Sequence, residues 1–239
     1  LKRQTTAVVS LVLIGSMLGG CSSPPKVPLQ AQAKKTIRTV AVVQIAEPEK
    51  YHLYVGQLPG GAAFYMLGAL GGLMLGGIEA MRAQSATSDF MQSISTEPPA
   101  VGALWNYELP RAVESRGYTV KVLKWEKNLD DLADFDCKSV QGKYDALLLS
   151  NIRAGYSVET MVEPNIVVNA KLLGSDCKST LYSESFVYAA KAAGNVTHIV
   201  RNAEYAFDSK KDLLANPKKS SRGLRSGTRD IVQRLASEL

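Results

Sequence analysis

Two cysteines, two histidines and a short acidic run are the side chains best suited to chemistry in this 239-residue chain. Cys137 and Cys177 form an even pair once Cys21 is set aside. In an oxidising compartment such a pair reads as a disulfide; the alternative is two buried free thiols. Zinc does not fit, because His52 and His198 lie at no ligand spacing from either cysteine. Asp130, Asp131, Asp134 and Asp136 are the densest carboxylates, but the run lacks the glycine and terminal glutamate of a calcium loop and reads as a solvated helix face. A nucleophile–base arrangement would have to recruit one of the two histidines. No GxSxG elbow, GxxxxGK[ST] loop, GxGxxG fingerprint or HExxH helix occurs. The chain therefore reads as a non-enzyme, with no cofactor and no metal.

The chemistry of Cys21 follows from what precedes it. Lys2 and Arg3 give a short positive start, residues 7–17 are almost continuously apolar, and small residues lead directly into the cysteine. This is the order of a secretory signal, and the apolar run is too short for an ordinary membrane span. Leu18-Gly19-Gly20-Cys21 resembles a lipobox. The resemblance implies removal of residues 1–20 and a diacylglyceryl, N-acylated Cys21 as the new N-terminus. Ser22 stands where an aspartate would mark inner-membrane retention, so the implied destination is the outer membrane, facing the periplasm. In that compartment the Cys137–Cys177 pair is expected to be oxidised. Residues 21–35, with Pro24, Pro25 and Pro28, read as a Pro-rich tether that holds the folded part about 20–45 Å from the membrane.

Composition narrows the partners. Apolar residues make up 46 % of the chain, enough for a proper core. The formal net charge of +6 is mild and its excess lies near the C-terminus, where Lys and Arg outnumber Asp and Glu. A solvated helix face accounts for that cluster. There is no basic–aromatic interleaving of the kind that grips single strands, so nucleic acid is not expected as a partner.

The elements that must position these residues follow from apolar periodicity. Residues 36–46 are a β-branched, nearly continuous run, as expected of a central strand covered on both faces. Residues 101–116 predict an amphipathic helix, interrupted at Pro110 and stopped by Gly117, and residues 118–124 alternate as a half-buried strand. Strand, crossover helix, strand makes a right-handed βαβ unit with parallel strands. Residues 144–158, 165–173 and 180–189 predict an antiparallel meander. Such a meander puts the start of its first strand and the end of its second at one edge, which brings Cys137 and Cys177 together. Residues 195–207 fit an edge strand or irregular chain, and 221–238 an amphipathic helix docked on the sheet through Leu224, Ile231, Val232 and Leu235. The fold class is α/β: a βαβ unit continued by an antiparallel meander into one mixed sheet with packed helices, over residues 36–239.

Residues 51–99 read as an insertion. From 51 to 78 no side chain carries a charge, and Gly68, Gly72 and Gly76 fall at helical spacing, a glycine zipper. As a helix, residues 60–78 would reach about 28 Å. The run reads as a membrane-inserted helix, as a Gly-to-Gly oligomer contact, or as a segment folded onto its own domain. Its many glycines disfavour a lone helix in water, so something must cover it.

The strand at 39–45 (TVAVVQI), the helix leading into 117–120 (GYTV) and the strand at 144–150 (YDALLLS) carry a resemblance. The order of elements behind a lipobox resembles the periplasmic α/β domain shared by the curli secretion channel CsgG, the peptidoglycan-synthase activator LpoB and the amino-terminal domain of TolB. Residues 211–217 (KDLLANP) leading to 223–227 (GLRSG) also resemble uncharacterised members of a lipoprotein group with this domain. The sequence departs from the curli channel in one respect: the pore there is made by amphipathic β-hairpins, whereas residues 60–78 do not alternate. The expectation is a lipid-anchored envelope component that docks on envelope proteins, or on copies of itself, through residues 60–78. The alternative is an oligomeric subunit of an outer-membrane secretion or export channel.

Overall fold

The structure, a computed structural model, describes residues 26–55, 77–125, 132, 135–191 and 194–239. Its frame is one mixed seven-stranded sheet ordered β3-β1-β4-β5-β6-β7, with β2 also paired to β4. The strands are β1 (Thr39–Val43), β2 (His52–Val55), β3 (Thr119–Leu123), β4 (Ala146–Val158), β5 (Val162–Gly174), β6 (Thr180–Ala189) and β7 (Thr197–Val200). The helices are α1 (Ala31–Thr36), α2 (Gly77–Ile94), α3 (Val101–Glu114), α4 (Lys210–Ala215) and α5 (Pro217–Glu238). The fold class expected from the sequence is the one observed.

β1 lies between β3 and β4, parallel to both. Val40 and Val42 enter the core beneath the helices, while Ala41 and Val43 enter a second cluster on the opposite face. Both faces are covered, which is why its sequence is a near-continuous apolar run. β4, β5 and β6 form the antiparallel meander. α3 runs through Pro110 without a break, and Gly117 follows it at φ +94°. On the helix face Phe90 of α2, Trp105 of α3 and Leu224 of α5 meet Tyr156, Phe186 and Tyr188 of the sheet. α5 sits close because Gly223 and Gly227 carry no side chain. A Cβ at 227 would lie 2.6 Å from Cδ1 of Tyr188, and one at 223 would lie 2.5 Å from the hydroxyl of Tyr156.

Three further regions differ from the sequence reading, while residues 195–207 take the edge-strand form expected as one of two. The tether expected over 21–35 gives way to docked chain at Lys26. Val27 forms a β-bridge with Ser183, Leu29 is buried, and α1 occupies part of the stretch. The prolines that argue against structure end at Pro28, and an apolar residue follows directly. The insertion expected over 51–99 is in part core: Tyr51, Leu53, Phe90 and Ile94 are all buried in the helix-side cluster. β3 is more exposed than half-buried, because it closes one edge of the sheet. Residues 197–200 are the edge strand β7, parallel to β6, while 203–205 form a 3-10 turn. The glycine zipper at Gly68, Gly72 and Gly76, Cys21, and Asp130, Asp131 and Asp134 lie outside the described residues.

Candidate binding cleft

β1 and β2 both run parallel to β4 along the same edge, but they do not meet. β1 is in register with Ala146 to Leu148, and β2 with Gly155 to Val158. Between them the chain at 44–51 arches out of the sheet. What remains beside β4 is a cleft of about 230 Å³. Its floor is Ser150, Asn151, Ile152 and Arg153 of β4, and its wall includes Glu49, Lys50 and His52.

The arch is fastened by side chains that replace a ladder. Asn106 of α3 accepts from the amide of Ile45 at 2.9 Å and donates to its carbonyl at 2.8 Å, as a neighbouring strand would. Glu47 reaches the N-terminus of α3, where its carboxylate accepts from the amides of Gly102 and Ala103 at 2.9 and 3.2 Å. A carboxylate there satisfies free helix donors and opposes the positive end of the helix dipole. The Tyr51 hydroxyl donates to the other Glu47 oxygen and accepts from the amide of Val101 at 3.1 Å. Burial and the Glu47 hydrogen bond push its pKa far above the ordinary phenol range. The arch comes so near α3 that a Cβ on Gly102 would lie 2.8 Å from Cα of Glu47 and 2.9 Å from the Ala46 carbonyl oxygen. Both are backbone atoms. Gly102→Ala is therefore expected to lower the unfolding free energy by about 1–3 kcal/mol, measured by urea denaturation.

Two cations, Lys50 and Arg153, line the cleft beside the imidazole of His52. Lys50, His52 and Arg153 face one carboxylate, Glu49. Burial lowers the His52 pKa from its ordinary value, and the cations of Lys50 and Arg153 lower it further. His52 is thus neutral near pH 7 and stacks on Tyr54, with ring centroids 5.4 Å apart. From the cleft floor a polar ladder crosses the sheet: Asn169 donates to Asn151 at 3.1 Å, and Ser185 donates to Asn169 at 2.7 Å. These residues are in register on β4, β5 and β6. Ser150 points to the other face, where its hydroxyl accepts from the Trp105 indole at 3.0 Å.

The structure places the other residues singled out in the sequence away from this cleft. His198 lies on edge strand β7, its ring nitrogen 2.9 Å from the Ala189 carbonyl oxygen. Asp136 accepts from the Lys138 amide and caps a 3-10 turn. Among the described residues no three His, Cys, Asp or Glu are grouped to hold a metal, and no helix is long and apolar enough to cross a membrane. Cys137 and Cys177 are brought together, with Cα atoms 5.9 Å apart, a disulfide-compatible pair. The meander does this by placing Ala146 opposite Gly174. In the turn beyond Gly174, the hydroxyl and amide of Ser179 and the amide of Lys178 donate to the Asp176 carboxyl and lower its pKa to about 2. Lys50, His52 and Arg153 had no shared motif to find them by, since they are brought together only by the docking of β2, which sets His52 opposite Gly155 of β4.

No family model matches the chain, and no curated protein matches it. Among solved structures it is similar to a protein described as a neuraminyllactose-binding hemagglutinin homolog from Helicobacter pylori. That match has 10 % sequence identity and a TM-score of 0.35, and covers 92 % of each chain. It is also similar to a DUF330 protein from Xanthomonas campestris, at 13 % identity and a TM-score of 0.33, covering 91 % of each chain.

Proposed function

We propose that this chain is a lipid-anchored component of the bacterial cell envelope that acts by binding. The cleft between β1 and β2 takes an anionic group, a carboxylate or phosphate, presented by an envelope partner. The observation that carries this reading is the presence of the cations Lys50 and Arg153, with His52 as a neutral donor, along a cleft of about 230 Å³ left by the break in the sheet. Cations beside low-dielectric walls concentrate field and select for anions. The lipobox supports the location, and so does a cysteine pair suited to an oxidising compartment.

A tetraglutamate peptide and inorganic phosphate, each titrated at low salt, separate the two anion sources. Binding is followed through the His52 imidazole resonances. The bound anion opposes Lys50 and Arg153, so it raises the His52 pKa. Conversely, as pH falls through the depressed His52 pKa the ring becomes cationic, and anion affinity rises. Lys50→Ala is expected to weaken binding about fivefold to tenfold, with the loss shrinking at high salt. His52 resonances that ignore both probes at millimolar concentration would reject the cleft as the site.

A further inference from the structure

The segment nearest the expected anchor is bound tightly into the sheet. Val27 donates from its amide to the Ser183 carbonyl at 2.8 Å and accepts from the Ser183 amide at 2.9 Å. Lys26 makes an ion pair with the buried Glu184 and donates to the Thr197 hydroxyl at 3.1 Å. Leu29 is buried, and Lys34 of α1 donates to the Glu238 carbonyl at 2.7 Å. Val27 and β7 thus share the outer edge of β6, Val27 opposite Ser183 and β7 opposite residues 186–189.

We infer that this clamp holds the β6–β7 edge against the lipid surface, within about 18 Å of the headgroups, which is the extended length of the five peptide steps from Cys21 to Lys26. The inference rests on the lipid-anchor reading. If Lys26 were free, the chain could stand off as a long tether; clamped, it cannot. Whatever the tilt of the domain, Lys26 and its neighbour Thr197 remain near the bilayer. β3, at the other edge, lies five strand spacings from β7, about 24 Å away. The near edge also presents Val200, an exposed apolar side chain on the last strand, 72 % accessible. The membrane-facing side of the molecule is therefore set by residues 26–29 rather than by a mobile linker.

The test uses full-length, lipidated protein in vesicles of phosphatidylethanolamine and phosphatidylglycerol that contain a headgroup-nitroxide lipid. A fluorescent amino acid replaces Val200 in one sample and Val122, exposed on β3, in another. Emission from position 200 is expected to be quenched several-fold more than emission from position 122. Two variants release the near edge. Val27→Pro removes the amide that donates to Ser183. A ten-residue Gly-Ser insertion between Pro25 and Lys26 adds about 17 Å of average reach without touching the fold. Each is expected to reduce the quenching at 200 to the level at 122. Equal quenching at both positions in protein that floats with the vesicles would overturn the clamp alone. Protein that fails to float would overturn the anchor reading and the clamp together. Protein with the insertion that keeps the full difference would also overturn the clamp.

Discussion

Gly155→Ala is expected to lower the unfolding free energy by about 3 kcal/mol and to detach β2 from the sheet. Gly155 of β4 stands opposite His52 of β2. A Cβ there would lie 2.0 Å from the His52 carbonyl oxygen, 2.8 Å from its carbonyl carbon and 2.9 Å from its amide nitrogen. All three are backbone atoms, so no side-chain rotation relieves the contact and the strand itself must move. Elsewhere Gly→Ala stabilises by restricting the unfolded chain, by about 0.4–1 kcal/mol. Here the sign reverses. Because β2 carries His52 and forms a wall of the cleft, the substitution should also abolish the response of His52 to anions. Urea denaturation reads the stability change, and hydrogen exchange at the amides of residues 52–55 reads the loss of β2. Gly174→Ala is the control, since its nearest contact would be 3.3 Å, to a carboxylate oxygen of Asp176 at an exposed turn. Equal stability of the two variants would mean that β2 does not seat on Gly155.

What could be read from the sequence depended on how local its cause was. β1, β4, β5 and β6 are plain in the sequence because apolar runs, β-branched in β1 and β5, leucine-led in β4 and aromatic in β6, respond directly to burial on one or both faces. α5 is equally plain, with Leu224, Ile231, Val232 and Leu235 fully buried on one stripe. α2 was hidden: its buried stripe is Ala86, Phe90 and Ile94, three residues at helical spacing among polar ones. β2 has four residues and takes its place from its pairing with β4, not from any pattern of its own. The cleft is less legible still, because it arises where pairing stops between Leu148 and Gly155. The glycine-zipper spacing illustrates the limit of motif reading. Gly68, Gly72 and Gly76 have this spacing within an apolar run. In the described residues the same four-residue spacing brings tyrosines close at Gly223 and Gly227, within a helix whose outer face is charged.

Breaking the covalent link expected between Cys137 and Cys177 should cost about 4 kcal/mol, the chain-entropy value for a loop of 40 residues. The loss has a structural address. The chain around Cys137 covers the face of the sheet away from the helices, where Trp125, Phe135, Val140 and Tyr144 pack on Ala41, Val43, Leu147 and Leu149. The amide of Gly142 donates to the Ser175 carbonyl at 2.9 Å, which joins the two turns beside the cysteines. One such bond between exposed turns contributes only about 1 kcal/mol, so it cannot hold the cover by itself. In Cys137→Ser/Cys177→Ser protein the cover should fray first, with exchange rising at residues 137–143, before the sheet opens. The urea midpoint of the native chain should fall on adding reductant and that of the double variant should not move. Thiol labelling under denaturing, non-reducing conditions decides whether the link exists. Labelling of both cysteines would show two free thiols, and it would remove one support for the proposed oxidising compartment while leaving the resemblance of residues 18–21 to a lipobox as the other. Protection of both would show that one bond ties the meander to its covering segment.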